Sequence, residues 1–420
     1  MSKNKIEHRR KKLESNLLVA LDIGTSKIVV LVGETNADNE IEIIGVGSHA
    51  SKGLKKGIVV NIEATVQSIQ RAVQEAELMA GCEIQSAIVG IAGNHISSFN
   101  SHGIVAIKNN EVIASDIERV IDAAKAVAIP ADQKILHILL QEFIIDNQGS
   151  IKEPIGMSGV RLEAKVHLIT GAVSAVQNII KCAKRCDLVV SDIILEQLAS
   201  SYAVLTEDEK ELGVCLIDIG GGTTDIAVFI DGAIRHTVVI PIAGDQVTND
   251  IAIAMCTPIQ YAEQLKLEHG CALEKLADAK NTIDVHSPGD RRGKQATARE
   301  LAEVIEARYE ELFKLVSSEL RRSGLQDAIT AGTVITGGGA QIPGLTTLAE
   351  QILDMPARIG YPNNIKEGVK GLAEQLNSPV YSTGVGLLLY GLQQQDDLIE
   401  LRKNKDVFAR MKRWFQRNLA

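Results

Sequence analysis

The stretch at residues 211–232, ELGVCLIDIGGGTTDIAVFIDG, decides how this chain is read. An apolar run from Val214 to Ile217 ends at Asp218; Gly220, Gly221 and Gly222 follow, then Thr223, Thr224 and Asp225. Ile226 to Ile230 is a second β-type run, and Asp231-Gly232 turns the chain again. The pattern predicts two strands joined by a glycine turn. Residues without Cβ let the backbone approach a ligand, and N–H groups flanked by Thr hydroxyls make a concave site for phosphate oxygens. A carboxylate at the strand end, Asp218, faces phosphate only with a cation between them, which implies Mg²⁺. The same turn is also ordinary turn chemistry, so the rest of the chain must decide.

Residues 17–33, LLVALDIGTSKIVVLVG, repeat the pattern: strand, Asp22, then Gly24, Thr25 and Ser26, then strand. Two related half-domains facing one another would bring both hairpins to one ligand. A third glycine turn, GTVITGGGAQIPG at residues 332–344, places Gly337, Gly338 and Gly339 between a short strand and a helix, Leu345–Leu353. Such a loop offers backbone access beside a positive helix end. Glu196 stands where the strand Val189–Leu195 passes into a helix; it either orients an attacking water or is a helix-start charge favoured by the macrodipole. Glu263 and Lys266 share one helix face, as a surface pair or as a pair reaching a ribose or base edge.

The chain has 420 residues, 45% of them apolar and 23% charged, enough for a large core and two or more domains. Aromatics are only 3%, so the core is aliphatic. A net charge of −9 argues against a general nucleic-acid binder. Among six scattered Cys the one close pair, Cys182 and Cys186, reads as a helix face in a core. Reduced cysteines fit the cytosol, and no apolar run is long enough for a transmembrane helix. Residues 1–16 read as a disordered basic tail. Residues 97–170 have a different texture, a helix at 115–128 with Ser115 as N-cap and two β segments, and form a small α+β insertion suited to docking or assembly. Ala298–Ser323 is a long helix.

The C-terminal residues 406–420 read DVFARMKRWFQRNLA. At helical spacing Val407, Phe408, Met411, Trp414, Phe415 and Leu419 cover an arc of about 140°. Arg410, Lys412, Arg413 and Arg417 lie outside it. A basic amphipathic helix with Trp at the centre of its apolar face suits an in-plane anchor on an anionic membrane; the alternative is a helix docked on the protein or a partner.

DIGTSK, DIGGGTTD and TGGGAQIPG, in this order, resemble the phosphate hairpins and adenosine loop of the actin/Hsp70/sugar-kinase ATPase superfamily. VALDIGTSKI, ILEQLASSYAVLTEDEKELGVCLIDIGGGTTDIAV and ITGGGAQIPG resemble more closely the FtsA family of bacterial actin-like division proteins. The resemblance implies an α/β, two-lobed actin-like (RNase H-like) ATPase fold with an inserted α+β subdomain and a C-terminal amphipathic helix. It divides the chain into a first lobe (17–96, 171–210, 380–392), the insertion (97–170), a second lobe (211–243, 318–379) with its own subdomain (244–317), a linker (393–405) and the anchor (406–420).

The resemblance also implies a role for each site residue. ATP and Mg²⁺ would lie in the cleft, gripped by Gly24, Thr25 and Ser26 and by Gly220, Gly221, Gly222, Thr223 and Thr224. Lys27 would neutralise phosphate, Asp22 and Asp218 would hold the metal through water, and Glu196 would orient the attacking water. Gly337, Gly338, Gly339, Glu263 and Lys266 would line the nucleoside. The implied partners are the C-terminal tail of the tubulin-like FtsZ (Arg308 and Glu311 as contacts), other division proteins at the insertion, further copies of the chain, and an anionic membrane surface, with no nucleic acid. The implied location is the cytoplasmic face of the inner membrane at the division site, and any ATPase activity is expected to be weak. A small-molecule kinase of the same superfamily is the competing reading, but no sugar-pocket signature is present and a kinase has no need of the basic tail. An Hsp70-like chaperone would need a β-sandwich domain after Gly391.

Overall fold

The computed structural model describes residues 17–36, 40–289, 293–362, 369–372 and 376–403. The expected basic tail at 1–16 and the amphipathic segment 406–420 lie outside the described residues.

Two sheets carry the molecule. The first contains β1 (Leu17–Ile23), β2 (Lys27–Thr35), β3 (Ile41–Ala50), β6 (Ser86–Ile91), β11 (Val189–Leu195) and β19 (Val369–Gly371), in the order β11-β6-β1-β2-β3-β19. The second contains β12 (Val214–Ile219), β13 (Thr224–Ile230), β14 (Ala233–Ile240), β17 (Thr333–Thr336) and β18 (Ala357–Ile359), in the order β14-β13-β12-β17-β18. In each, an antiparallel hairpin has a parallel strand beside its first member. The outer strands match in sense as well, so the repeat legible in two short motifs extends to five strands per half. This is the two-lobed actin-like fold. One boundary is corrected: β19 pairs with β3 in the first sheet, although residues 318–379 were assigned to the second lobe.

Both faces of each sheet are covered, which is why the strands read as continuous apolar runs. Alternate side chains serve different cores. Leu18 and Ala20 of β1 join a core shared with the second sheet's Val214 and Leu216, whereas Val19, Leu21 and Ile23 pack on α1 (Ile62–Ala80) and α3 (Val173–Lys184). The shared core is filled by α4 (Glu196–Val204) and α10 (Ser382–Lys403), two helices crossing between the lobes. A short α5 (Glu207–Leu212), not foreseen, leads from α4 into β12; Thr206 Oγ1 caps it by accepting from the Glu209 N–H at 3.1 Å. α10 continues through Lys403, into the stretch read as a linker.

The second lobe's subdomain packs on its sheet through α6 (Gly244–Ala254), α7 (Ile259–His269) and α8 (Ala298–Ser323), with a small hairpin of β15 (Thr282–Val285) and β16 (Lys294–Thr297). α8 has the predicted bounds; Thr297 and Glu300 cap it reciprocally and Gly324 ends it at φ +70°. α6 starts at Gly244, where Gln246 reaches back to accept from the Ala243 N–H at 3.0 Å. α9 (Leu345–Leu353) follows the third glycine turn. In the first lobe, β4 (Leu54–Lys55) and β5 (Ile58–Val59) form a small hairpin beside α1.

The insertion is a sheet in the order β7-β10-β8-β9, made of β7 (Ile96–Ala106), β8 (Gln133–Ile145), β9 (Gln148–Ile151) and β10 (Arg161–Ala172) and covered by α2 (Ala114–Lys125). The cap of α2 is Ile113 and not Ser115: its N–H donates to Asp116 Oδ2 at 3.1 Å. The insertion enters and leaves from the first lobe yet seals against β14 of the second. Ser98 Oγ donates to Thr237 O at 2.8 Å, Gln141 Nε2 to Ile234 O at 3.0 Å and Asn100 Nδ2 to Arg235 O at 3.3 Å. His167 lies between Asn100 and Thr237, at 2.7 and 2.9 Å, and burial with His236 nearby pushes its pKa down to about 4.

Candidate functional site

The two hairpins meet face to face. A Cβ on Gly221 would lie 1.9 Å from Ser26 Oγ, and one on Gly222 would lie 2.6 Å from Thr25 Oγ1. Glycine is therefore what lets the turns touch. Between the lobes opens a cavity of about 620 Å³, within the size range of small-molecule sites. Its lining brings together Asp22, Gly24, Thr25, Ser26, Lys27, Glu196, Asp218, Gly220, Gly221, Gly222, Thr223, Glu263, Lys266, Gly337, Gly338 and Gly339. Thr224 is the exception. Its side chain is buried in β13 and its hydroxyl donates to Ile242 O at 2.7 Å, because alternation along the strand turns it away.

Not every turn N–H faces the cavity. The Gly220 N–H closes the turn by donating to Thr223 O at 2.9 Å. The carbonyls of Gly220 and Gly221 accept from Gly244 and Asp245 at the start of α6, at 3.1 and 2.8 Å. Ser26 Oγ donates across the lobes to Asp245 Oδ1 at 3.2 Å.

Of the carboxyl groups lining the cavity, four interact with one another, Asp22, Glu196, Asp218 and Asp225, while Asp245 and Glu263 sit on the α6–α7 side. Asp225 was not foreseen. It lies directly opposite Asp218 in the β12–β13 register, and Thr223 Oγ1 donates to its Oδ2 at 2.9 Å. Its Oδ1 is buried with no partner among the described residues. A carboxylate at the second position of a strand that is apolar from Ile226 to Ile230 was the available signal.

Burial raises the whole group, and repulsion by neighbouring carboxylates adds to it at Asp22, Asp225 and Glu196. Burial, then the Asp218 charge, pushes Asp22 up to about 7 against the pull of Lys27. Asp225 is pushed up to about 8 by burial and Asp218, with the Thr223 hydroxyl opposing. Burial, then the Asp22, Asp225 and Asp218 charges, hold Glu196 well above the usual carboxylate range. Asp218 is pushed by burial only to about 6, because hydroxyls stabilise its charge. Ser200 Oγ of α4 donates to Asp218 Oδ2 at 2.6 Å, and Thr383 Oγ1 of α10 lies 3.4 Å from the same atom. The two crossing helices thus hold one cleft carboxylate between them.

Lys27 Nζ lies 4.4 Å from the centroid of the Tyr381 ring. On the opposite wall Lys266 Nζ is 2.7 Å from Glu263 Oε2 and donates to Thr248 Oγ1 at 2.8 Å and Gly244 O at 3.2 Å. Gly337 has φ +85°, and a Cβ there would meet Asp218 Oδ1 at 2.3 Å. Tyr309 Oη donates to Gly339 O at 3.0 Å, fixing the third loop against α8. Leu267 and Ile342 add apolar lining; single aliphatic residues in a helix and a loop carried no sequence signal for this. Arg308 and Glu311 are outside the lining. They form an ion pair on α8, and Arg308 also pairs with Asp250 of α6. Among the described residues no three His, Cys, Asp or Glu side chains are arranged to hold a metal directly, and no helix is long and apolar enough to cross a membrane.

Comparison with known proteins bears on this geometry. The family profile described as "Cell division protein FtsA" matches residues 215–386, and that of the "SHS2 domain inserted in FTSA" matches residues 93–170. The cell division protein FtsA of Pseudomonas aeruginosa is 62% identical over 412 residues, 96% of this chain and 98% of its own. That of Escherichia coli K12 is 46% identical over 414 residues, 97% of each chain. The same fold occurs in the type IV pilus PilM–PilN complex, at a TM-score of 0.63 and 16% identity over 89% of this chain and 98% of the other. It occurs again in MreB 5 of Spiroplasma citri bound to AMPPNP, at a TM-score of 0.56 and 16% identity over 92% of this chain and 99% of the other. With sequence identity of this order along nearly its whole length, the chain belongs to the FtsA family of cell division proteins.

Proposed function

We propose that this chain binds ATP with Mg²⁺ between its lobes and assembles on the cytoplasmic face of the inner membrane. There it tethers the FtsZ division ring and recruits later division proteins. The observation that carries this reading is the single cavity into which two glycine hairpins, a third glycine loop and four repelling carboxyl groups all open. Backbone N–H groups of the two turns grip phosphate oxygens. Lys27 adds a compensating charge. Glu263, Lys266, Leu267, Ile342 and the Gly337–Gly339 backbone line the nucleoside.

The donor set fits Mg²⁺ held through water: Asp225 Oδ1 is orphaned, the clustered carboxyl groups are raised, and among the described residues Lys27 is the only opposing charge and no direct three-ligand cage exists. Asp22 and Asp218 would hold it, and the ion would screen the phosphate charge. Glu196, kept basic enough by its neighbours to accept a proton, orients the water for a slow hydrolysis. Filaments on lipid monolayers are expected with ATP and absent without nucleotide. Failure of the folded protein to bind ATP, or rapid phosphoryl transfer to a small acceptor, would overturn the reading.

Arg308 and Glu311 on the outer face of α8 are the proposed contact for the FtsZ tail, and the insertion for later division proteins. Residues 406–420 are the proposed anchor, with Trp414 at the centre of the apolar face formed by Val407, Phe408, Met411, Phe415 and Leu419. One such helix binds weakly, and many on one polymer bind tightly. In sedimentation with phosphatidylglycerol-containing vesicles, the full chain should pellet, while Trp414→Glu and a chain ending at Lys403 should stay largely in the supernatant. Equal pelleting of all three removes the anchor from the proposal.

A further inference from the structure

Five consecutive residues leading into α10, Pro379 to Thr383, touch the third glycine loop and its strand, Lys27, and Asp218. Pro379 O accepts from the Gly337 N–H at 3.2 Å, and the Val380 side chain lies beneath Gly338, 3.9 Å from where a Cβ would stand. Ser382 Oγ and Thr336 Oγ1 are 2.6 Å apart, and Thr383 Oγ1 approaches Asp218. Between them Tyr381 presents the face of its ring to Lys27 Nζ, 4.4 Å from the centroid. Tyr381 is half-buried against the shared core, so its ring is held by packing and not by the lysine. Lys27 is itself partly desolvated, a setting in which attraction to a ring face is strongest. The Asp22 charge attracts the same ammonium.

We infer that Tyr381 is a positioning residue, whose ring face holds the Lys27 ammonium in place to meet a nucleotide phosphate. One turn of chain then sets the phosphate cation, the nucleoside loop and Asp218 together. The contact uses the ring and not the hydroxyl, so phenylalanine should replace tyrosine and leucine should not. The inference rests on the nucleotide-binding reading above and adds a residue to it.

Calorimetry with Mg²⁺-ATP on the full chain tests it. Tyr381→Leu should lose about 2- to 30-fold in affinity, the range of a cation–π contact, while Tyr381→Phe stays near wild type. Tyr381→Leu should have no further effect in a Lys27→Met background, because the pair is then already broken. In the nucleotide-free protein, the Lys27 side-chain protons should carry a ring-current shift that persists in Tyr381→Phe and vanishes in Tyr381→Leu. Unchanged affinity in Tyr381→Leu, equal losses for Leu and Phe, or a full Leu effect without Lys27 would each overturn the inference and leave the nucleotide reading standing. A folded wild type that binds no ATP overturns both.

Discussion

Asp218→Asn is expected to weaken Mg²⁺-ATP binding by about 10- to 100-fold, the usual cost of losing a group that holds a metal through its water shell, while making the nucleotide-free protein more stable at neutral pH. Asparagine keeps the shape, and its carbonyl oxygen can still accept from Ser200. Only the charge is lost, and that charge has two opposite effects. With a cation present it anchors the metal side of the cleft. Without one it repels Asp22 and Asp225, raising both.

The pH dependence follows in sign. Asp22, Asp218 and Asp225 stand at about 7, 6 and 8 in the folded protein, against 3.8 ordinarily. The folded state therefore binds more protons than the unfolded one from about pH 4 to about pH 8, and stability falls as pH rises through that window. Removing Asp218 should flatten the fall and gain at least about 1.4 kcal/mol at pH 8, the value of a single pKa unit. Saturating Mg²⁺-ATP should flatten it in the wild type. Urea titrations from pH 4 to pH 9 give the slope directly; equal slopes for both proteins would show that the carboxyl groups do not share one field.

Gly386→Ala is expected to destabilise the chain by about 3 kcal/mol, the upper end for one added methyl in a packed interior. A Cβ at Gly386 would stand 1.9 Å from Ala199 O and 2.4 Å from its carbonyl carbon. Both are backbone atoms of α4, so no side chain can swing aside and the two crossing helices must separate. Ser200 and Thr383, which meet at Asp218 from those helices, should then lose their joint hold. A drop of several degrees in Tm together with weaker nucleotide binding is the expected pair of results. An unchanged Tm would mean that the crossing is loosely packed.

What could be read in advance was local. Asp-Gly-Thr turns after apolar strands announced both hairpins, because strand, turn and carboxylate are neighbours in sequence. α8 was legible from end to end, since Thr297, Glu300 and Gly324 are self-contained start and stop signals. What escaped notice depends on distant partners. Asp225 matters because Asp218 faces it across the strand pair, and Tyr381 because Lys27 lies hundreds of residues away in the chain. β19 could not be assigned to the right lobe because three residues of strand carry no sign of the sheet they will join. Thr224 was placed in the site by its neighbours' composition, and the two-residue period of the strand removed it.

A duplicated sheet has two equivalent borders to close, and this chain closes them differently. In the first half β3 is covered by β19. In the second half its counterpart, β14, has no strand beyond it among the described residues, and Ser98, Asn100 and Gln141 reach over from the insertion to its carbonyls. An uncovered strand border is a template for unwanted pairing between molecules. By taking up these carbonyls the insertion leaves fewer open acceptors on that border for such pairing.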